Sequence, residues 1–76
     1  MPHIEIKCYP GRTDAQKTAL ARKITEDIKE IFGSPESSVS VAITDIPREN
    51  WKTEVWDTEI APHMDTLYKK PEYSCD

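Results

Sequence analysis

Seventy-six residues with a net charge of −4 make one small domain at most, and a chain this short buries only about 60% of the surface its unfolded form exposes. The acidic balance argues against nucleic acid as the partner, and no apolar run approaches membrane-spanning length. Cys8 sits in a strand pattern and Cys75 one residue from the C-terminus, and neither they nor His3 and His63 show the spacing of a disulfide framework or a structural zinc site. Oligomerisation is then the expected source of support, and a reducing cytoplasm the expected compartment.

His3 to Tyr9 alternates, with Ile4, Ile6 and Cys8 on one face and His3, Glu5 and Lys7 on the other, the period of a half-buried strand. Directly behind Met1 stands Pro2. Removal of Met1 would make it an N-terminal secondary amine, a base that no internal residue supplies. Pro10-Gly11 suits a turn in which proline presets φ and glycine accepts a positive φ. Thr13-Asp14-Ala15-Gln16 reads as a capping box, so a helix begins at Asp14.

Leu20, Ile24, Ile28, Ile31 and Phe32 recur at three and four to form its expected buried stripe, and Gly33 stops it at Phe32. Val39 to Ile46 alternates again and is rich in β-branched residues, a second strand. Strand, helix and strand with short connections make a β-α-β unit, an α/β fold with parallel strands. One helix cannot cover both sheet faces and both edges, so a partner subunit is expected against the open face. Arg48 to Trp51 suggests a turn of helix. Ala61-Pro62 suggests the start of another, with Met64, Leu67 and Tyr68 on one side as far as Lys69 or Lys70. The polar tail packs only if Tyr73 finds a groove. The whole of 1–76 reads as one domain.

Charge is uneven along the chain. Lys7, Arg12, Lys17, Arg22 and Lys23 outnumber Glu5 and Asp14 in the first 23 residues, so a small anion is drawn there unless these are ordinary solvated charges.

Four blocks together resemble the tautomerase superfamily, in the 4-oxalocrotonate tautomerase group. They are Pro2 with its alternating strand, the run Gly11-Arg12-Thr13-Asp14-Ala15-Gln16-Lys17, the strand Ser38 to Asp45, and a C-terminal half with Trp51, Trp56-Asp57, Glu59-Ile60-Ala61-Pro62, Lys69-Lys70-Pro71 and Tyr73-Ser74. The last block is similar to the bacterial subfamily that ketonises phenylenolpyruvate-type enols.

The resemblance implies a cofactor-independent proton transfer in which Pro2 is general base and then general acid. Such a base works best near ambient pH, below the ordinary value of a secondary amine, which burial and a nearby cation such as Arg12 would bring about. Arg12 matches the turn arginine that grips a substrate carboxylate, a role suited to its forked geometry. Trp51 matches an aromatic wall of the pocket, or else is core, as Trp56 is expected to be. At Ser40 the chain departs from the 4-oxalocrotonate enzymes, which carry an arginine reaching a neighbouring subunit's site. Serine there turns the expectation from dicarboxylates towards the enol of an aryl 2-oxo monocarboxylate.

His3 is expected at a subunit contact, Cys8 as a small core residue, and Lys7 and Arg48 as solvated cations. The assembly is expected to be a homodimer or a larger homo-oligomer. Two rival readings are a proline-dependent hydratase or dehalogenase of small unsaturated acids, and a non-catalytic oligomeric module if Met1 is retained, since Pro2 nitrogen is then an amide.

Overall fold

The computed structural model describes residues 1–75. Strand β1, His3–Cys8, lies parallel to β2, Ser40–Asp45, in register from His3 opposite Ser40 to Cys8 opposite Asp45. The ladder extends by one bond at each end, from Ser40 N–H to the Pro2 carbonyl at 3.2 Å and from Ile46 N–H to the Cys8 carbonyl at 2.8 Å. Tyr9, Val39 and Ile46 therefore fall just outside strands that alternation alone extends over them.

Helix α1, Asp14–Phe32, joins the two strands with the bounds the capping signals predict. Gln16 N–H donates to Thr13 Oγ1 at 3.1 Å and Thr13 N–H to Gln16 Oε1 at 2.8 Å, a reciprocal cap of the kind whose loss costs about 1 kcal/mol. Gly33 ends the helix at φ 71°, its N–H donating to the Lys29 carbonyl. Gly11 takes φ 124° in the preceding turn, again a conformation suited to glycine.

The buried stripe of α1 is only partly realised. Ile24 and Ile28 are half-buried, whereas Leu20, Ile31 and Phe32 are 45%, 76% and 68% exposed. Length explains the end of the stripe: nineteen helical residues run about 28 Å and six strand residues about 20 Å, so the last turn overhangs the sheet. Leu20 borders an open gap between α1 and the sheet, lined also by Ile6, Arg12 and Ile43.

The buried hydrophobic residues among those described are instead Ile46, Val55 and Trp56, each contributing about 1.5 to 3 kcal/mol. Val55 and Trp56 come from a π-helix, Lys52–Ile60, that follows a 3₁₀ turn at Arg48–Asn50. Periodicity does not anticipate the π-helix. Lys52 Nζ meets Asp57, five positions on, at 3.1 Å, a spacing that matches i→i+5 winding.

Pro62 opens the next helix as expected, but that helix is 3₁₀, Ala61–Thr66, and stops short of Lys69. His63 leaves helical geometry at φ −117°, ψ 19°, and the Thr66 hydroxyl donates to the His63 carbonyl at 3.0 Å. Met64 and Leu67 are half-buried, while Tyr68 is fully exposed rather than sharing their side. The tail does find its groove, for the Tyr73 ring packs on Trp56 with centroids 5.3 Å apart. The chain as a whole is extended, with a radius of gyration of 14.1 Å. A compact chain of this length would give about 11.4 Å.

Candidate active site

Two ends of β1 carry the residues singled out in the sequence, and they carry different ones. At the start, the register that sets His3 opposite Ser40 brings Pro2, His3 and Ser40 together. His3 Nδ1 and Ser40 Oγ lie 2.6 Å apart, and Ser40 N–H holds the Pro2 carbonyl. Pro2 is half-buried, Met1 fully exposed.

At the end of β1 the turn at Pro10-Gly11 folds Arg12 back so that Nη1 donates to the Tyr9 carbonyl at 3.2 Å. That bond uses one of five guanidinium donors. Beside it opens a cavity of about 380 Å³ lined by Lys7, Cys8, Tyr9, Arg12, Trp51 and Tyr73. The volume falls at the small end of small-molecule sites. Tyr9 and Trp51 meet edge to face, with centroids 5.1 Å apart and planes at 81°, and the Arg48 guanidinium lies 4.6 Å over the other ring of this pair, Tyr9. Trp51 Nε1–H donates to Tyr73 Oη at 3.1 Å.

Lys7 reaches across to the π-helix, its Nζ 2.8 Å from Glu59 Oε1 and 4.0 Å from Glu5. The hydrogen bond to Glu59 raises its pKa above the ordinary value, with burial opposing. Lys7 is thus half-buried and paired rather than a solvated cation, whereas Arg48 is exposed as expected but also lies over the Tyr9 ring. Cys8 is half-buried, its Sγ 3.9 Å from Asp45 Oδ1. Asp45 also pairs with Lys17 at 3.0 Å, which raises the pKa of that lysine.

So Pro2 and Ser40 are together, Arg12 and Trp51 are together, and the two pairs are separated by the length of β1, about 20 Å from Pro2 to Cys8. Tyr9, Tyr73 and Arg48 were missed in the sequence. Tyr9 had a signal, as the aromatic residue that closes the strand next to Arg12. Tyr73 stands out in the sequence only as the tail residue that would need a groove and as part of the family resemblance, and Arg48 only as a solvated cation, since their contacts cross 17 residues or more.

The profile of a family described as tautomerase enzyme matches residues 2–55. The chain belongs to the tautomerase family. It is therefore an enzyme that catalyses tautomerisation, an isomerase. A protein named tautomerase PptA from Enterobacter sp. (strain 638) is 56% identical over 75 residues, covering 97% of this chain and 99% of that protein.

Among solved structures, a 4-oxalocrotonate tautomerase isozyme from Methylibium petroleiphilum is 42% identical with a TM-score of 0.63, over 66% of this chain and 81% of that one. A structure described for trans-3-chloroacrylic acid dehalogenase activity is 33% identical with a TM-score of 0.62, over 64% of this chain and 92% of that one. Among the described residues no helix is long and apolar enough to cross a membrane, and no group of three or more His, Cys, Asp or Glu side chains is placed to hold a metal ion.

Proposed function

We propose that this tautomerase ketonises aryl enolpyruvates such as phenylenolpyruvate, with Pro2 as base and acid, Arg12 on the substrate carboxylate, and Trp51 and Ser40 lining the site. The aromatic, cation-edged cavity at Arg12 is the observation that carries the reading: it offers flat apolar walls to an aryl group and a forked donor to a carboxylate. With Met1 removed, Pro2 nitrogen takes the proton from the enol oxygen as the carbonyl forms, and the prolinium returns a proton to the adjacent carbon. One proton leaves and one arrives, so no cofactor takes part.

Because Pro2 and Arg12 of one chain stand at opposite ends of β1, a site that uses both draws them from different copies. The open sheet, the overhanging Ile31 and Phe32 and the extended shape support a homodimer or larger homo-oligomer built from one domain per chain. Unbridged Cys8 and Cys75 fit a reducing cytoplasm.

The test is ultraviolet detection of phenylenolpyruvate ketonisation by protein whose intact mass shows Met1 gone. Equal rates for this protein and Pro2→Ala would remove the assigned base, and quantitative retention of Met1 in the native protein would leave only a non-catalytic module. The likeness to a structure described for dehalogenase activity favours a second reading, hydrolysis of 3-haloacrylates. Chloride release from 3-chloroacrylate without enol ketonisation would replace the first reading with the second.

A further inference from the structure

One wall of the open cavity at Arg12 comes from a part of the chain that lies outside the shared family profile. That profile covers residues 2–55, and so includes Pro2, Arg12 and Trp51 but not Tyr73. In the tail that carries it, Tyr68, Lys69, Lys70, Glu72 and Ser74 are exposed, and Tyr73 itself is 49% exposed. Tyr73 is nonetheless pinned from two directions. Its ring rests on buried Trp56 at 5.3 Å and 46°, and its phenol oxygen accepts the Trp51 indole N–H at 3.1 Å.

The π-helix makes this double contact possible. Positions 51 and 56 are five apart, and at the 100° per residue of an α-helix they would diverge by about 140°. Winding by i→i+5 brings such positions back towards one side. Both indoles can then meet the same tyrosine. The Trp51 indole is held between the edge-to-face contact of Tyr9 and the hydrogen bond of Tyr73, and all three rings line one cavity with Arg12.

We infer that Tyr73 is a positioning and specificity-determining residue: its hydroxyl locks the Trp51 indole as a wall of the cavity, and its ring adds a second wall for the aryl end of the substrate. The inference rests on the aryl enolpyruvate reading above. A carboxylate gripped by Arg12 needs no tyrosine, but a planar apolar group does gain from walls that are already immobile. The chemistry thus lies in the shared segment and the preference for an aryl group in the tail.

The experiment compares wild type, Tyr73→Phe, Tyr73→Ala, Trp51→Phe and the double variant Trp51→Phe/Tyr73→Phe on phenylenolpyruvate and on an aliphatic dienol, 2-hydroxy-2,4-pentadienoate. Tyr73→Phe is expected to lower the aryl-to-aliphatic ratio of kcat/KM about fivefold, mostly through KM, the size of one neutral hydrogen bond. Tyr73→Ala should lower it further. In the Trp51→Phe background, where no indole N–H remains, Tyr73→Phe should add less than about a twofold change, the signature of two residues acting as a unit. An unchanged ratio in both Tyr73 variants, or an equal effect of Tyr73→Phe with and without Trp51, overturns the inference.

Binding of phenylpyruvate, followed by tryptophan emission, keeps the two readings apart. If wild type fails to ketonise phenylenolpyruvate but binds phenylpyruvate more tightly than Tyr73→Phe does, the substrate reading falls and the role of Tyr73 stands. If ketonisation is rapid and the affinities are equal, the role of Tyr73 falls alone. Should Tyr73→Ala fail to fold by circular dichroism, Tyr73→Phe, which keeps the ring on Trp56, decides.

Discussion

Where β1 begins, Pro2, His3 and Ser40 meet through the backbone ladder and one short polar contact. Where it ends, Tyr9, Trp51 and Tyr73 line an open cavity edged by Lys7 and Arg12, with Arg48 laid over Tyr9. The first end has a candidate base with little around it to hold a substrate, and the second has walls and cations but no base. The same six-residue strand separates them by about 20 Å. On the proposed reading, a chain built this way is two half-sites, each useful only against the complementary half of another copy.

That comparison can be broken most sharply at the base. Pro2→Ala is expected to lower kcat for phenylenolpyruvate by about 10² to 10⁴, the range of general acid–base catalysis, with a small change in KM. At the other end Arg12→Ala should raise KM by about 10 to 100, the worth of a hydrogen bond to a charged group, and Arg12→Lys should fall between, since an ammonium keeps charge without the fork. The opposite pattern, kcat lost at Arg12 and KM at Pro2, would exchange the roles of the two ends.

Mixing sharpens the comparison further. Pro2→Ala and Arg12→Ala chains, unfolded together in equal amounts and refolded, should recover about a quarter of wild-type sites, because random assembly of a symmetric oligomer pairs an intact Pro2 with an intact Arg12 that often. No recovery at subsaturating substrate, with mixed assemblies confirmed by native mass spectrometry, would mean that both residues serve from one chain.

The smallest expected effect concerns the ion pairs that tie the two ends to the rest of the fold. Hydrogen bonds to Glu59, Asp45 and Glu36 raise Lys7, Lys17 and Lys29 respectively above 10.5. A cation with a raised folded value contributes stability that is complete below 10.5 and lost as pH climbs through that higher value. Thermal melts from pH 9 upward should therefore show a slight fall in Tm beyond pH 10.5, absent in Lys7→Met/Lys17→Met/Lys29→Met.

Much of the scaffold was legible because its signals are local. Thr13 and Gln16 cap each other three residues apart, Gly33 follows the last helical residue, and alternation marks both strands. The site was legible only in part. Pro2, Arg12, Ser40 and Trp51 stand out by type and by family resemblance, but nothing in the order of residues shows that the register joins Pro2 to Ser40 while β1 holds both away from Arg12.

The engaged cations were unreadable for the same reason: Lys7 finds Glu59 across 52 residues. The π-helix left no periodic trace, as its i→i+5 bonds follow neither the 3.6 nor the 2 pattern. The stripe on α1 was legible as a pattern and misleading as burial. Ile31 and Phe32 run past a sheet too short to cover them.

The wide winding of Lys52–Ile60 also sets what kind of change this chain can absorb. Side chains on its outer surface, such as Thr53 and Thr58, are open to replacement, but the number of residues is not. Losing one beyond Trp56 would let the segment tighten to α-helical pitch with Trp51 and Trp56 still five apart, and so part them by about 140°. One ring or the other would then be out of reach of the tail. Across homologues that share this architecture, the segment is expected to vary in spelling and stay constant in length, so a gap there is a better warning of altered substrate preference than any single substitution.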